Sequence, residues 1–461
     1  MKLCGQICVG LLLGAASTPL WSQVDNPPTQ PVAAYGTGSG TDNSDSRMLT
    51  PPPVSGQSYP TSGTAGERSN YVRGGLAFTS AYTDNAVGSL NGKPVSDISY
   101  SVAPFIALDE TTSRLHLITT YAPGFTFYQK TSSRNEADQN VSLDLQYRLS
   151  PHVTFSARDG FQKSSSVFNQ PDLASAGAVS GGTQEPNLSV IAPIAAFYRN
   201  AGNVGISYQF AANGMLGANG TFTNLHYPNQ ADVTGLFDSS SQGGSVFASF
   251  RISKMHYIGA SYQYQRLVSY PTEGQNETQT HTVFLFYTLY ATSRLSVSGF
   301  GGPQLSDTVV PPTPPLQIQP PTSRAWNPAV GGSMSWQGRL SSFALSYSHV
   351  ISGGGGLIGA VHMDSATALI RTQITRNLSG SLNGGYAQND LVASSLGAGN
   401  NGHTVSGTAE LQRQIGQSIS VQAGYTRLHQ NYGSVAILSA TPNTNREFVS
   451  ISYQFSRPLG R

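Results

Sequence analysis

Charge is what this chain has least of. Only 10% of its 461 residues are Asp, Glu, Lys or Arg, against roughly 25% in a typical soluble protein. A large water-facing surface with so few charges would be unusual. The net charge of +2 gives no basic face for nucleic acid, so no nucleic-acid partner is expected. Cysteine is almost as scarce. The two present, Cys4 and Cys8, lie in the first ten residues. There Lys2 precedes the apolar run Ile7–Ala16, and small residues follow at Ala15, Ser17 and Ser22. That pattern reads as an export signal over residues 1–23. The run is shorter than the ~20 residues of a membrane-spanning helix. A lipoprotein signal would place its cysteine after the run, not before it. Cleavage leaves no cysteine, which excludes a disulfide scaffold. Long apolar runs are missing from the rest of the chain, so no transmembrane helix is expected.

Residues 24–69 are rich in Pro, Gly, Ser and Thr and read as a disordered tail or linker, because such a composition buries no core. From residue 70 the pattern changes. In "NVSLDLQYRLS" (140–150), Val141, Leu143, Leu145, Tyr147 and Leu149 alternate with Ser142, Asp144, Gln146, Arg148 and Ser150. "NVGISYQF" (203–210) and "SISVQAGY" (418–425) repeat the alternation. A period of two is the mark of a strand with two unlike faces. Helical spacing is absent, and Gly and Thr are too frequent in these runs for helices.

The punctuation is regular. Short turns are expected near 108–114, 150–152, 211–214, 253–256, 291–294, 337–340, 375–377 and 415–417. Longer loops are expected near 83–96, 129–138, 162–201, 226–242, 269–278, 302–323, 352–357, 388–401 and 429–444. Seventeen connections imply about eighteen strands of about 10–14 residues, with sixteen as the alternative count. A tilted strand needs ~9–11 residues to cross a bilayer. A β-sandwich has shorter strands, ~5–6 residues, and no recurring blade motif of a propeller is present. The reading is all-β: a closed antiparallel up-and-down transmembrane β-barrel over residues 70–461.

The chain ends "REFVSISYQFSRPLGR" (446–461), with Val449, Ile451, Tyr453 and Phe455 alternating with polar residues. This end resembles the C-terminal assembly signal of bacterial outer-membrane β-barrel proteins, with six residues following the final aromatic where members of that group often stop. The resemblance implies outer-membrane lipid and the barrel assembly machinery as partners. It also implies periplasmic N- and C-termini and long loops on the cell exterior.

Barrels of 16–18 strands leave an aqueous channel unless something plugs them. Phase assigns Arg73, Asp144, Arg148, Arg158, Arg251, Arg371 and Glu410 to the lumen face as channel-lining residues. Arg266, Arg413 and Arg427 fall in the lipid phase near strand ends, where they can snorkel. Five lumen arginines against two acids suggest a mildly positive wall, and such a wall favours anions. The plainer reading is that Asp144 and Arg148 pair with each other and with their neighbours. The longest loop, 162–201, carries the apolar piece "LSVIAPIAAFYRN" (188–200). By analogy with general porins it would fold inward as a constriction; otherwise the apolar piece extends a strand.

Motifs for chemistry fail. "GGGLIG" (354–359) fits G-x-G-x-x-G but lacks the following helix and the acid ~20 residues on, so it reads as a flexible loop. The nine histidines show no ligand-like spacing, and there is no G-x-S-x-G elbow. No enzyme activity, cofactor or metal is expected. The leading function is passive diffusion of small hydrophilic solutes through a porin-like channel, with a homo-oligomer as one option. The alternatives are an export channel for a secreted polysaccharide and, from another class, a structural or adhesive barrel that binds partners through its long loops.

Overall fold

The computed structural model describes residues 70–87, 93–164, 168, 196–271, 274–292, 294–309, 323–392, 401–435 and 440–459. The export signal, the segment 24–69 and most of the 162–201 loop lie outside the described residues. Alternation builds nineteen strands: β1 (Tyr71–Val87), β2 (Val95–Thr111), β3 (Leu115–Tyr121), β4 (Gly124–Tyr128), β5 (Glu136–Arg148), β6 (Val153–Ser164), β7 (Phe197–Ala211), β8 (Gly214–His226), β9 (Asp238–Arg251), β10 (His256–Tyr270), β11 (Asn276–Thr292), β12 (Leu295–Val309), β13 (Ser323–Gln337), β14 (Ser341–Ser352), β15 (Val361–Thr375), β16 (Leu378–Leu391), β17 (Gly402–Ile415), β18 (Ile419–Tyr432) and β19 (Asn443–Pro458). β3 and β4 are one stave interrupted at Ala122–Pro123, since both pair with β2 on one side and β5 on the other. Pro123 cannot continue a ladder. The sheet therefore has eighteen staves, not sixteen, and each pairs antiparallel with its neighbours.

The ring closes between first and last strands, from Tyr71↔Pro458 to Thr83↔Arg446. Next to the closure, the Leu459 amide donates to the Asn70 carbonyl at 2.7 Å. All eight expected short turns fall at one end of the barrel and all nine longer connections at the other. Several strands exceed the expected length, reaching 17 residues in β1, β2 and β11. They run beyond what a bilayer crossing needs.

Alternation divides the two surfaces. In β1, Leu76 and Phe78 are 46% and 45% exposed, while Ala77 and Thr79 between them are 4% and 6%. Outward side chains splay on a convex surface, and inward ones crowd. The same contrast runs round the ring, with Ile106, Val204, Val246, Leu285, Leu382 and Val449 on the exposed phase. The outer face is apolar and the inner face is largely Ser, Thr, Asn and Gln, the arrangement a membrane barrel requires.

Aromatics on the inner face were not foreseen. Phe105, Phe247, Phe286, Phe300 and Phe448 all point inward, and each stands directly opposite a glycine: Gly75, Gly217, Gly259, Gly331 and Gly424. A Cβ on any of these glycines would run into the ring beside it. Each ring lies over its facing glycine, and a bare α-carbon is what leaves room for it. Replacing Gly259 by Val should therefore displace Phe286 and cost about 1–3 kcal/mol of overpacking. The check is the temperature at which the folded, fast-migrating band of a heated gel series is lost; Gly384→Val, where nothing lies within 4 Å, should leave it nearly unchanged.

Candidate functional site

Three long-end segments fold inward and meet. They are 227–237 between β8 and β9, 353–360 between β14 and β15, and 433–435 after β18. Their apolar side chains form one buried cluster with wall residues: Tyr227, Val233, Leu236, Leu357 and Val435 pack with Phe168, Phe197, Leu225, Val361, Leu428 and Tyr432. Burial here is deep, with Phe197, Val233, Leu357, Val361, Tyr432 and Val435 all at 0% exposure. Phe197 begins β7 and Leu428 lies in β18, seven staves apart around the ring. The mouth is thus spanned by packed protein.

Polar bonds fix the joint. The Phe237 amide donates to the Gly356 carbonyl at 2.8 Å, and the Tyr227 hydroxyl donates to the Gly355 carbonyl at 3.4 Å. The Tyr227 amide is held by Asp238 Oδ1 at 2.8 Å, and Asp238 Oδ2 meets His226 Nδ1 at 2.6 Å. The Gly359 amide donates to Ser269 Oγ of β10 at 2.8 Å. Burial, with the Asp238 carboxylate nearby, pushes the Tyr227 hydroxyl far above its ordinary pKa, so it stays a neutral donor. The glycines are needed. Gly356 has φ +113° with the Tyr227 ring against it, and Gly235 has φ +97° against the Ser434 carbonyl. "GGGLIG" is therefore a packed turn at the centre of the mouth, not a free loop. Of the 162–201 loop, expected as the constriction, only Phe168 among 165–195 is described, and it belongs to the cluster.

Below the mouth, all seven expected lining residues fall on the inward phase. They do not form one site. Asp144 pairs across strands with Arg158, at 2.6 Å, and not with Arg148. Arg73 meets Asp109 at 3.3 Å. Arg251 Nη2 donates to Asn213 Oδ1 at 3.2 Å. Glu410 accepts from Ser381 Oγ at 2.7 Å and from Gln422 Nε2. Arg148 ends β5 beside the short turn, and Arg371 faces Ser342 and Ser381. Arg266, in the outward phase, pairs with Glu277 at 2.6 Å.

The expectation of a positive wall does not hold. Among the described strand residues, the inward phase carries seven arginines (73, 148, 158, 199, 251, 371, 446) and six acids (97, 109, 136, 138, 144, 410). Of the missed acids, Asp109, Glu136 and Asp138 sit at strand ends that the sequence pattern assigned to turns and loops, and Asp97 lies just past the expected 83–96 loop. Asp97 is spent on the loop after β4, accepting from the Thr131 amide at 2.8 Å and its hydroxyl at 2.7 Å. Among the described residues, no group of three His, Cys, Asp or Glu is placed to hold a metal ion.

A closed antiparallel ring, apolar outside and polar within, is the architecture of a bacterial outer-membrane β-barrel. No protein-family model matches the chain, and no curated protein matches its sequence. Solved structures are similar in shape. Pseudomonas aeruginosa OpdQ is 10% identical, with 84% of this chain aligned to 98% of that one and a TM-score of 0.42. Acinetobacter baumannii OccAB4 is 9% identical over 85% and 99%, at 0.41. The outer membrane protein opdK of P. aeruginosa is 10% identical over 84% and 99%, at 0.39.

Truncating Tyr227 to Ala removes the largest fully buried ring of the joint and should cost about 3–5 kcal/mol locally. Proteolysis at the long-loop end should accelerate, while the heat-resistance of the barrel itself should hold.

Proposed function

We propose that the chain is an outer-membrane channel for passive diffusion of small hydrophilic solutes, narrowed at its outer mouth by the three-loop joint. The observation that carries this is the eighteen-stave ring with a polar inner face, because a ring of that size is wider than side chains fill. In this reading the short turns and both termini are periplasmic, and the joint faces the exterior. The even balance of inward Arg and acid predicts weak ion selectivity.

The test is single-channel conductance of the refolded mature chain in a planar bilayer, with a salt gradient. Stable ohmic openings with little selectivity are expected, and Tyr227→Ala should raise the conductance. Arg148→Glu with Arg371→Glu spares the Asp144–Arg158 pair and leaves five arginines against eight acids. It should produce cation preference. A correctly folded barrel that never conducts, even with the joint disrupted, would sink the channel reading and favour a barrel that acts through its loops.

A further inference from the structure

The wall has one short seam. β13 pairs with β12 along its whole useful length, from Leu295↔Trp336 to Thr308↔Ser323. With β14 it pairs only from Gln337↔Ser342 to Val330↔His349, eight residues. That falls short of the ~9–11 residues of a membrane crossing. Above it, residues 323–329 of β13 have no backbone partner on the β14 side among the described residues.

Proline explains the stop. Pro303 of β12 and Pro328 of β13 stand opposite each other in an uninterrupted ladder. Neither has an N–H, so they occupy a non-hydrogen-bonded pair, with both nitrogens turned to the outer neighbours. Pro303 then faces β11, and the β11–β12 ladder does skip there, between Thr282↔Gln304 and Leu285↔Gly301. By the same geometry Pro328 faces β14, at the level where that seam ends.

β14 parts from β13 above His349 while staying laddered to β15 as far as Ser352↔Val361. Ile351 shares the outward phase of Tyr347 and His349, yet it is 3% exposed and clusters with inward-facing Leu267 of β10 and with Ala360. Its amide donates to the side chain of Gln304 on β12, reaching past β13, at 3.3 Å. Val350 packs against the inner-wall cluster to which Phe300 and Ala329 belong. The top of β14 is thus tucked inside β13, like the overlapping edge of a rolled sheet. On the outer side of the unpaired edge Trp326 is 70% exposed, and behind the edge lie the apolar side chains of Val350, Ile351 and Ala329.

We propose that this seam is a lateral opening through which the apolar tail of a lipid-like amphiphile passes between the bilayer and the lumen. It rests on the channel reading, since the headgroup needs a water-filled bore. An unpaired strand edge in hydrocarbon is costly, and an edge on the lipid-facing wall with apolar side chains behind it suits an acyl chain better than a hydrophilic solute. The tail would enter between β13 and β14 and run against Val350, Ile351 and Ala329.

Brominated acyl chains quench tryptophan on contact, which makes the test direct. Trp326→Phe and Trp336→Phe clear the mature barrel, and one tryptophan is returned by Phe300→Trp near the seam or by Phe448→Trp on β19. Both positions face inward and lie opposite a glycine, so they are matched except in distance from the seam. In bilayers of phospholipid brominated on the acyl chain, quenching should be at least twofold stronger at 300 than at 448. Pro328→Val, which restores a donor toward β14, should erase the difference. Phe284→Trp serves if Phe300→Trp does not fold, because the two rings touch at 5.0 Å. Equal quenching at both sites in the parent overturns the opening. Conductance is measured on the same preparations, so a barrel that quenches selectively but never conducts refutes the channel alone.

Discussion

One constraint organises the molecule: in hydrocarbon a backbone donor or acceptor has no water to bond, so the sheet must close. The ladder between residues 71–83 and 446–458 is what that demands where, among the described residues, no helix is long and apolar enough to cross a membrane. It explains why the final strand is apolar on one side and polar on the other. Val449, Ile451, Tyr453 and Phe455 are 40–52% exposed on the outer surface, while Ser450 shares a hydrogen bond with Thr79 across the closure at 2.9 Å. Once the ring shuts, every residue's phase is fixed, because a slip by one would turn every side chain to the wrong face.

Phase and punctuation are local, and that is why they were legible. Each short turn lies where its residues suggested, and eighteen staves follow by counting. Register is not local. Asp144 and Arg148 are near in sequence and share a face, but antiparallel pairing carries Arg158 directly opposite Asp144. The acids of the wall were hidden for a related reason. Strands of up to 17 residues take in positions that resemble loop. Glu136 and Asp138 seemed part of the loop at 129–138, and Asp109 part of the turn at 108–114, yet all three point inward from strands. A wall judged by its mid-strand charges alone looks positive, and the full strands bring it near balance.

The inner aromatics left a fainter trace. In "TVFLFYTLY" (282–290) alternation fails because both faces of β11 are apolar. Leu285 and Tyr287 meet lipid, while Phe284 and Phe286 meet the inner wall. Such a run says that the inner face is packed, but not against what. The answer is a set of glycines on neighbouring strands, and only the register names them. Gly259, Gly217 and Gly331 look like weak points of their strands when read alone, and they are seats for rings.

The mouth and the seam are one event seen from two sides. For segment 353–360 to reach Tyr227 and Ser269, β14 has to abandon β13, and it does so where Pro328 has no hydrogen to offer. The lost ladder is only partly replaced. Gln304 supplies one bond to Ile351, and Leu267, Ala360 and Val350 supply contact without direction. Apolar contact of that kind tolerates sliding, whereas a ladder does not. The same proline that lets the hairpin fold inward to narrow the bore therefore leaves the wall beside it the least constrained.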